Sequence, residues 1–148
     1  MRIYCDTSAL GVEFNDLETK KNRVEASAMV LVFGLSQFND WEFVESWQHH
    51  IEIDDTEPRS RQNALRAKLR GSSYYVRSTE AWPRVRTLMG MGFSIKDAGH
   101  LAAALESECD VLLTCDGEFH DLARQNAKLV PLRVLRPSEF MAEVRYGG

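Results

Sequence analysis

Cysteine is scarce in this chain of 148 residues, and its three copies, Cys5, Cys109 and Cys115, include no C-x-x-C pair. An odd number at such spacing suggests neither a disulfide framework nor a cysteine zinc site, and three thiols that pack as small apolar residues are expected. Proline, glycine and serine nowhere gather into a linker, and there is no repeat or low-complexity tract, so one domain over residues 1–148 is expected. Long hydrophobic runs are missing too: the longest, residues 26–35, is short of the roughly 18 residues that signal a membrane span. The N-terminus passes directly into a strand-like run without a signal-peptide layout, so a soluble cytoplasmic protein with no membrane association is expected. Net positive charge is also absent, at −4 with a pI near 5.6, which taken whole argues against a dedicated nucleic-acid binder.

The distribution of charge says otherwise. Residues 1–57 hold 12 acids against 4 Lys/Arg, residues 58–96 hold 1 against 9, and residues 97–148 hold 9 against 5. A basic island thus lies between acidic flanks. Arg59, Arg66, Arg70, Arg77, Arg84 and Arg86 in it are either a phosphate-binding surface beside an acidic pocket or the solvated faces of two amphipathic helices.

The 44% hydrophobic content is enough for a core, and its patterning alternates strands with helices. Strands are expected over residues 2–5, 41–44, 111–114 and 129–134. Asn15 followed by Glu18 resembles a capping box opening a helix to about Phe38, and Ser46 can cap a short helix carrying Trp47, Ile51 and Glu52. Pro58 stands near the start of another that ends before Gly71. Ser78 or Thr79 opens a helix reaching Met89, with Pro83 in its first turn and Gly90 as its stop. Further helices cover residues 97–106 and 118–125, and Pro137 opens the last. Such alternation implies a parallel sheet covered on both faces.

In open parallel sheets ligands gather beyond the carboxyl ends of the strands. Asp6 directly follows the first strand, Asp116 follows Val111-Leu112-Leu113-Thr114-Cys115, and Asp97 stands at a helix start, where a carboxylate also serves as a cap. Each alone is as well explained by capping as by chemistry. Three together suggest a carboxylate cluster, whose hard oxygens suit Mg2+ or Mn2+ better than zinc. Thr7, Ser8 and Thr114 can hydrogen-bond such ligands, and Glu118 sits in a first helical turn. His49, His50 and His120 lack zinc spacing, and His100 reads as a helix-packing residue.

Asp6-Thr7-Ser8-Ala9-Leu10, Lys96-Asp97-Ala98-Gly99-His100-Leu101-Ala102-Ala103-Ala104 and Leu113-Thr114-Cys115-Asp116-Gly117-Glu118-Phe119 resemble, in order, the signature segments of PIN domains, particularly VapC-type toxins. Val134-Leu135-Arg136-Pro137-Ser138-Glu139-Phe140 closes the set. The resemblance implies a PIN-like three-layer α/β/α sandwich with a mainly parallel central sheet. It also implies a Mg2+- or Mn2+-dependent ribonuclease whose metal is bound by Asp6, Asp97, Asp116 and a glutamate in the helix after the second strand. Glu52, six residues after Ser46, matches that glutamate, and Glu45, Asp54 and Asp55 are its rivals. Glu118 occupies a place that is often acidic in the family. A small antitoxin protein as partner and a homodimer, with apolar surface from Trp41, Trp47, Trp82 and residues 33–43, are implied as well.

Two other classes place aspartates in the same way. A phosphoryl-transfer α/β domain is one, but Asp6-Thr7-Ser8 lacks the second acid of a D-x-D motif and no lysine follows a late strand. A PIN-like RNA- or protein-binding module without catalysis is the other, and the intact Asp6, Asp97 and Asp116 count against it.

Overall fold

The structure, a computed structural model, describes residues 1–147, with side chains to Arg145. Five strands form one sheet: β1 (Arg2–Cys5), β2 (Glu42–Ser46), β3 (Tyr74–Val76), β4 (Val111–Leu113) and β5 (Arg133–Leu135). All pairings are parallel and the order is β3-β2-β1-β4-β5. The helices are α1 (Thr7–Leu10), α2 (Lys20–Ser36), α3 (Trp47–Asp54), α4 (Arg59–Leu69), α5 (Ser78–Gly90), α6 (Ile95–Glu106), α7 (Gly117–Gln125) and α8 (Pro137–Gly147).

Strand periodicity decides which side chain joins which core. Along β1, Ile3 and Cys5 point to one face and Tyr4 to the other; along β4, Val111 and Leu113 oppose Leu112. The Ile3 face is covered by α1, α2, α4 and α8 through residues such as Leu10, Val32, Leu65 and Phe140. The Tyr4 face is covered by α5, α6 and α7 through Val85, Leu101 and Phe119. This is the expected PIN-like three-layer sandwich. The chain winds outward from β1 to β3, returns to β4 on the other side of β1, and winds outward again. Right-handed crossovers in opposite directions place the two helix sets on opposite faces, and a crevice opens where the winding reverses, at the carboxyl ends of β1 and β4.

Several local expectations are corrected. Asn15 and Glu18 do not open α2: the chain first makes α1 and a 3-10 turn (Val12–Phe14), and the Glu18 N–H closes a turn on the Asp16 carboxylate. The last strand is Arg133–Leu135 rather than residues 129–134, and β2 runs two residues past the expected end, to Ser46. Strand β3 was not expected. Helix α5 starts with Arg77 as its cap, so Pro83 lies in the second turn, and Gly90 is still helical. The turn after it is made by Gly92, whose φ of 106° is strained for any residue with a Cβ. Of the aromatic residues expected on a dimer surface, Phe33 and Phe43 pack against each other at a tilt and Trp41 meets Phe140 edge to face, and Trp47 packs against the Tyr4 core; Trp82 and Phe38 are exposed.

Candidate metal centre

Asp6 leaves β1 into the crevice and is 3% exposed. It caps α1: its Oδ1 accepts the Ala9 N–H at 2.9 Å and the Ser8 hydroxyl at 2.7 Å. Its Oδ2 accepts the Thr114 hydroxyl at 2.6 Å. Thr114 in turn accepts the Asp116 N–H at 3.0 Å, and Ser8 accepts the Cys115 N–H at 2.9 Å. These bonds tie the ends of β1 and β4 together around one carboxylate. Burial raises the Asp6 pKa, while His100 and the three hydrogen bonds oppose the rise.

Asp116 follows β4 and caps α7, its Oδ1 accepting the Phe119 N–H at 3.2 Å. Asp97 is not the cap of α6. That role belongs to Ser94, whose hydroxyl accepts the Asp97 N–H at 3.2 Å and sets Asp97 in the first helical turn. The Asp97 carboxyl is pushed up to about 6, first by burial and then by the charge of Asp116, with a smaller push from Asp6. Carboxylates from two other elements therefore bear on Asp97. Among the described residues, however, no three His, Cys, Asp or Glu side chains are grouped so as to hold a metal ion. The donor chemistry suits a hard cation, but the oxygens are engaged in helix caps and hydroxyl bonds. Glu118 is exposed in the first turn of α7.

Glu52 and Glu45 separate clearly. Glu45, on β2, takes the Nε2 of His50 at 2.6 Å. Glu52 faces the crevice side, where its Oε2 meets His100 Nε2 at 2.5 Å and Gln48 Nε2 at 2.9 Å. The bonds from His100 and Gln48 outweigh burial and hold the Glu52 carboxyl below its usual range.

Behind Glu52 runs a buried polar chain that the sequence did not disclose. Tyr4 Oη lies 2.6 Å from His100 Nδ1 and 2.7 Å from Ser46 Oγ. Burial raises the Tyr4 pKa, so the phenol keeps its proton and links Ser46 to the His100 ring, whose Nε2 faces Glu52. His49 stacks on Tyr4 at 4.8 Å. Its Nδ1 accepts the Ser46 N–H and its Nε2–H donates to the Cys5 carbonyl at 2.7 Å, a neutral tautomer that burial enforces. The close approach of α3 to α6 needs Gly99: a Cβ there would stand 2.6 Å from Gln48 Oε1. Thr7 reaches His100 Nε2 only at 3.5 Å.

The basic island is divided by the fold. Arg59 and Arg66 ride on α4 with Arg70 just past its end, and Arg77, Arg84 and Arg86 lie on or beside α5; the two helices cover opposite faces of the sheet. Arg66 pairs with Asp54, and Arg84 with Glu106 at 2.9 Å, while Arg59, Arg70, Arg77 and Arg86 are exposed. Two other cations of the island, Arg61 and Lys96, instead line a groove of about 410 Å³ with Thr7, Ser8 and Glu52. The adjacency of Lys96 to Asp97 was the only sequence signal for them. All three cysteines are free thiols, and burial pushes Cys109 up to about 11 and Cys115 to about 12.

The five-stranded, all-parallel sandwich is PIN-like in fold. No family model matches the chain, and no curated protein matches its sequence. Among solved structures it is similar to a chain of VapBC-1 from nontypeable Haemophilus influenzae. The TM-score is 0.56 at 13% identity, over 93% of this chain and 99% of that one, a likeness of fold. No helix among the described residues is long and apolar enough to cross a membrane.

Proposed function

We propose that this chain is a divalent-metal-dependent endoribonuclease. The observation that supports the reading is that Asp6 and Asp116 follow β1 and β4 at the sheet's switch point, and that burial together with the charges of Asp116 and Asp6 raises the Asp97 pKa. Mutually repelling carboxylates gain most from a cation, so these three would hold Mg2+ or Mn2+, with Glu52 completing the set on the far side. Such an ion, when bound, stabilises the charge that develops on a phosphodiester and activates water. The chain's own part is positional: Ser8 and Thr114 orient Asp6, and Gln48 and His100 orient Glu52.

The likeness to VapBC-1 supports a role as the toxin of a toxin–antitoxin pair, with an antitoxin protein as partner; a homodimer belongs to the same reading. A PIN-like binding module without catalysis is favoured by one observation, the absence of a ready-made metal group among the described residues. The two readings part in one assay. RNA incubated with wild type is cleaved with Mn2+ and not with EDTA, and Asp6→Asn is inactive; equal activity of Asp6→Asn would remove the aspartates from the chemistry.

A further inference from the structure

The groove beside the aspartates has features that its neighbours in the crevice do not use. Phe14 and Leu65 form its apolar wall, and the Arg61 guanidinium lies over the Phe14 ring at 4.8 Å. The Arg61 Nε is buried and makes no hydrogen bond. Lys96 stands on the same groove, next in sequence to Asp97. Ser8 joins groove to crevice, because its hydroxyl is bonded to Asp6.

A planar cation backed by an aromatic ring is a stacking surface for a nucleobase, and a second cation some way along is a seat for phosphate. The volume of about 410 Å³ lies within the range of small-ligand sites. Glu52 and Asp55 also line the groove, so Arg61 and Lys96 are the groups that offset their repulsion of a phosphate. We infer that this groove seats one nucleotide of a single-stranded RNA beside the phosphodiester that the aspartates face, its base against Arg61 and its phosphate on Lys96. The inference rests on the ribonuclease reading only for the identity of the strand.

Binding is measured by fluorescence, in EDTA, with an RNA decamer carrying 2-aminopurine. Wild type quenches the probe. Arg61→Gln weakens binding about tenfold and abolishes the quench, and Lys96→Gln lowers the slope of log affinity on log salt by about 0.7. Ile51→Glu guards against a folding artefact: Ile51 lines the groove and is 51% exposed, so the substitution repels RNA without disturbing the core. Wild-type binding by all three variants overturns the inference. So does Arg61-dependent capture of a polyglutamate peptide by a protein that ignores RNA. Arg61-dependent RNA binding without any Mn2+-dependent cleavage upholds the subsite and refutes the nuclease. Cleavage with unchanged KM in all three variants does the reverse.

Discussion

Replacing Asp97 by Asn tests the electrostatics at the centre of the site without metal. In the folded protein Asp97 keeps its proton to about pH 6, whereas its ordinary value is 3.8. Between those values the native state binds more protons than the unfolded chain, so stability falls as pH rises through the window and the whole loss persists above it. The full shift corresponds to about 3 kcal/mol at roughly 1.4 kcal/mol per unit. Asp97 is only half-buried, and solvent screening reduces this to about 1 kcal/mol. Asp97→Asn is therefore more stable than wild type at pH 8 in EDTA by about 1 kcal/mol, or roughly 3 °C in Tm. The gain vanishes below pH 4, where wild-type Asp97 is protonated. Asp116→Asn removes the largest charge acting on Asp97 and flattens the same pH profile. Mn2+ must then stabilise wild type by mass action, about 2.7 kcal/mol at a hundredfold excess over Kd, and Asp97→Asn far less. Urea or thermal unfolding across pH 4–8 reads all of this. If Asp97→Asn follows the wild-type pH profile in EDTA, the carboxylates do not share a field.

Two further substitutions address Glu52. Glu52→Gln loses Mn2+-dependent cleavage by at least tenfold while Glu45→Gln, which loses only the pair with His50, cleaves as wild type; the opposite order would transfer the role to β2. Gly99→Ala forces Gln48 off Glu52, because even Gln48 Cγ would stand 3.1 Å from the new Cβ, yet Ala gains about 1 kcal/mol of helix propensity. Its stability by urea unfolding should stay within about 1 kcal/mol of wild type while cleavage falls several-fold, and unchanged cleavage would show that Gln48 does not position Glu52.

The sheet's centre and the acids at its end were legible because their determinants are local. Uninterrupted apolar runs at Ile3-Tyr4-Cys5 and Val111-Leu112-Leu113 can be buried only as strands covered on both faces, and an aspartate just past each run must fall at a carboxyl edge. Strand β3 was not legible for the opposite reason. Tyr74 and Tyr75 are exposed and only Val76 is buried, so it is a strand because β2 offers it hydrogen bonds, not because its sequence demands one. Ser94 could have been read as the α6 cap, but the nearby carboxylate of Asp97 is an equally good cap by type, and only the backbone path chose between them.

What tertiary structure alone decided is which distant groups meet. Tyr4, Ser46 and His100 are separated by 42 and 96 positions and form one buried chain behind Glu52, and no spacing rule links residues on β1, β2 and α6. The nine cations of residues 58–96 form one block in the sequence. The fold sends α4 and α5 to opposite faces and leaves Arg61 and Lys96 beside the acids. Sequence determined the sheet order's raw material and the carboxylates' place at strand ends, because apolar burial and chain direction are local properties. Packing decided the partners of each carboxylate, because hydrogen bonds and charge act through space between segments that the chain brings together only on folding.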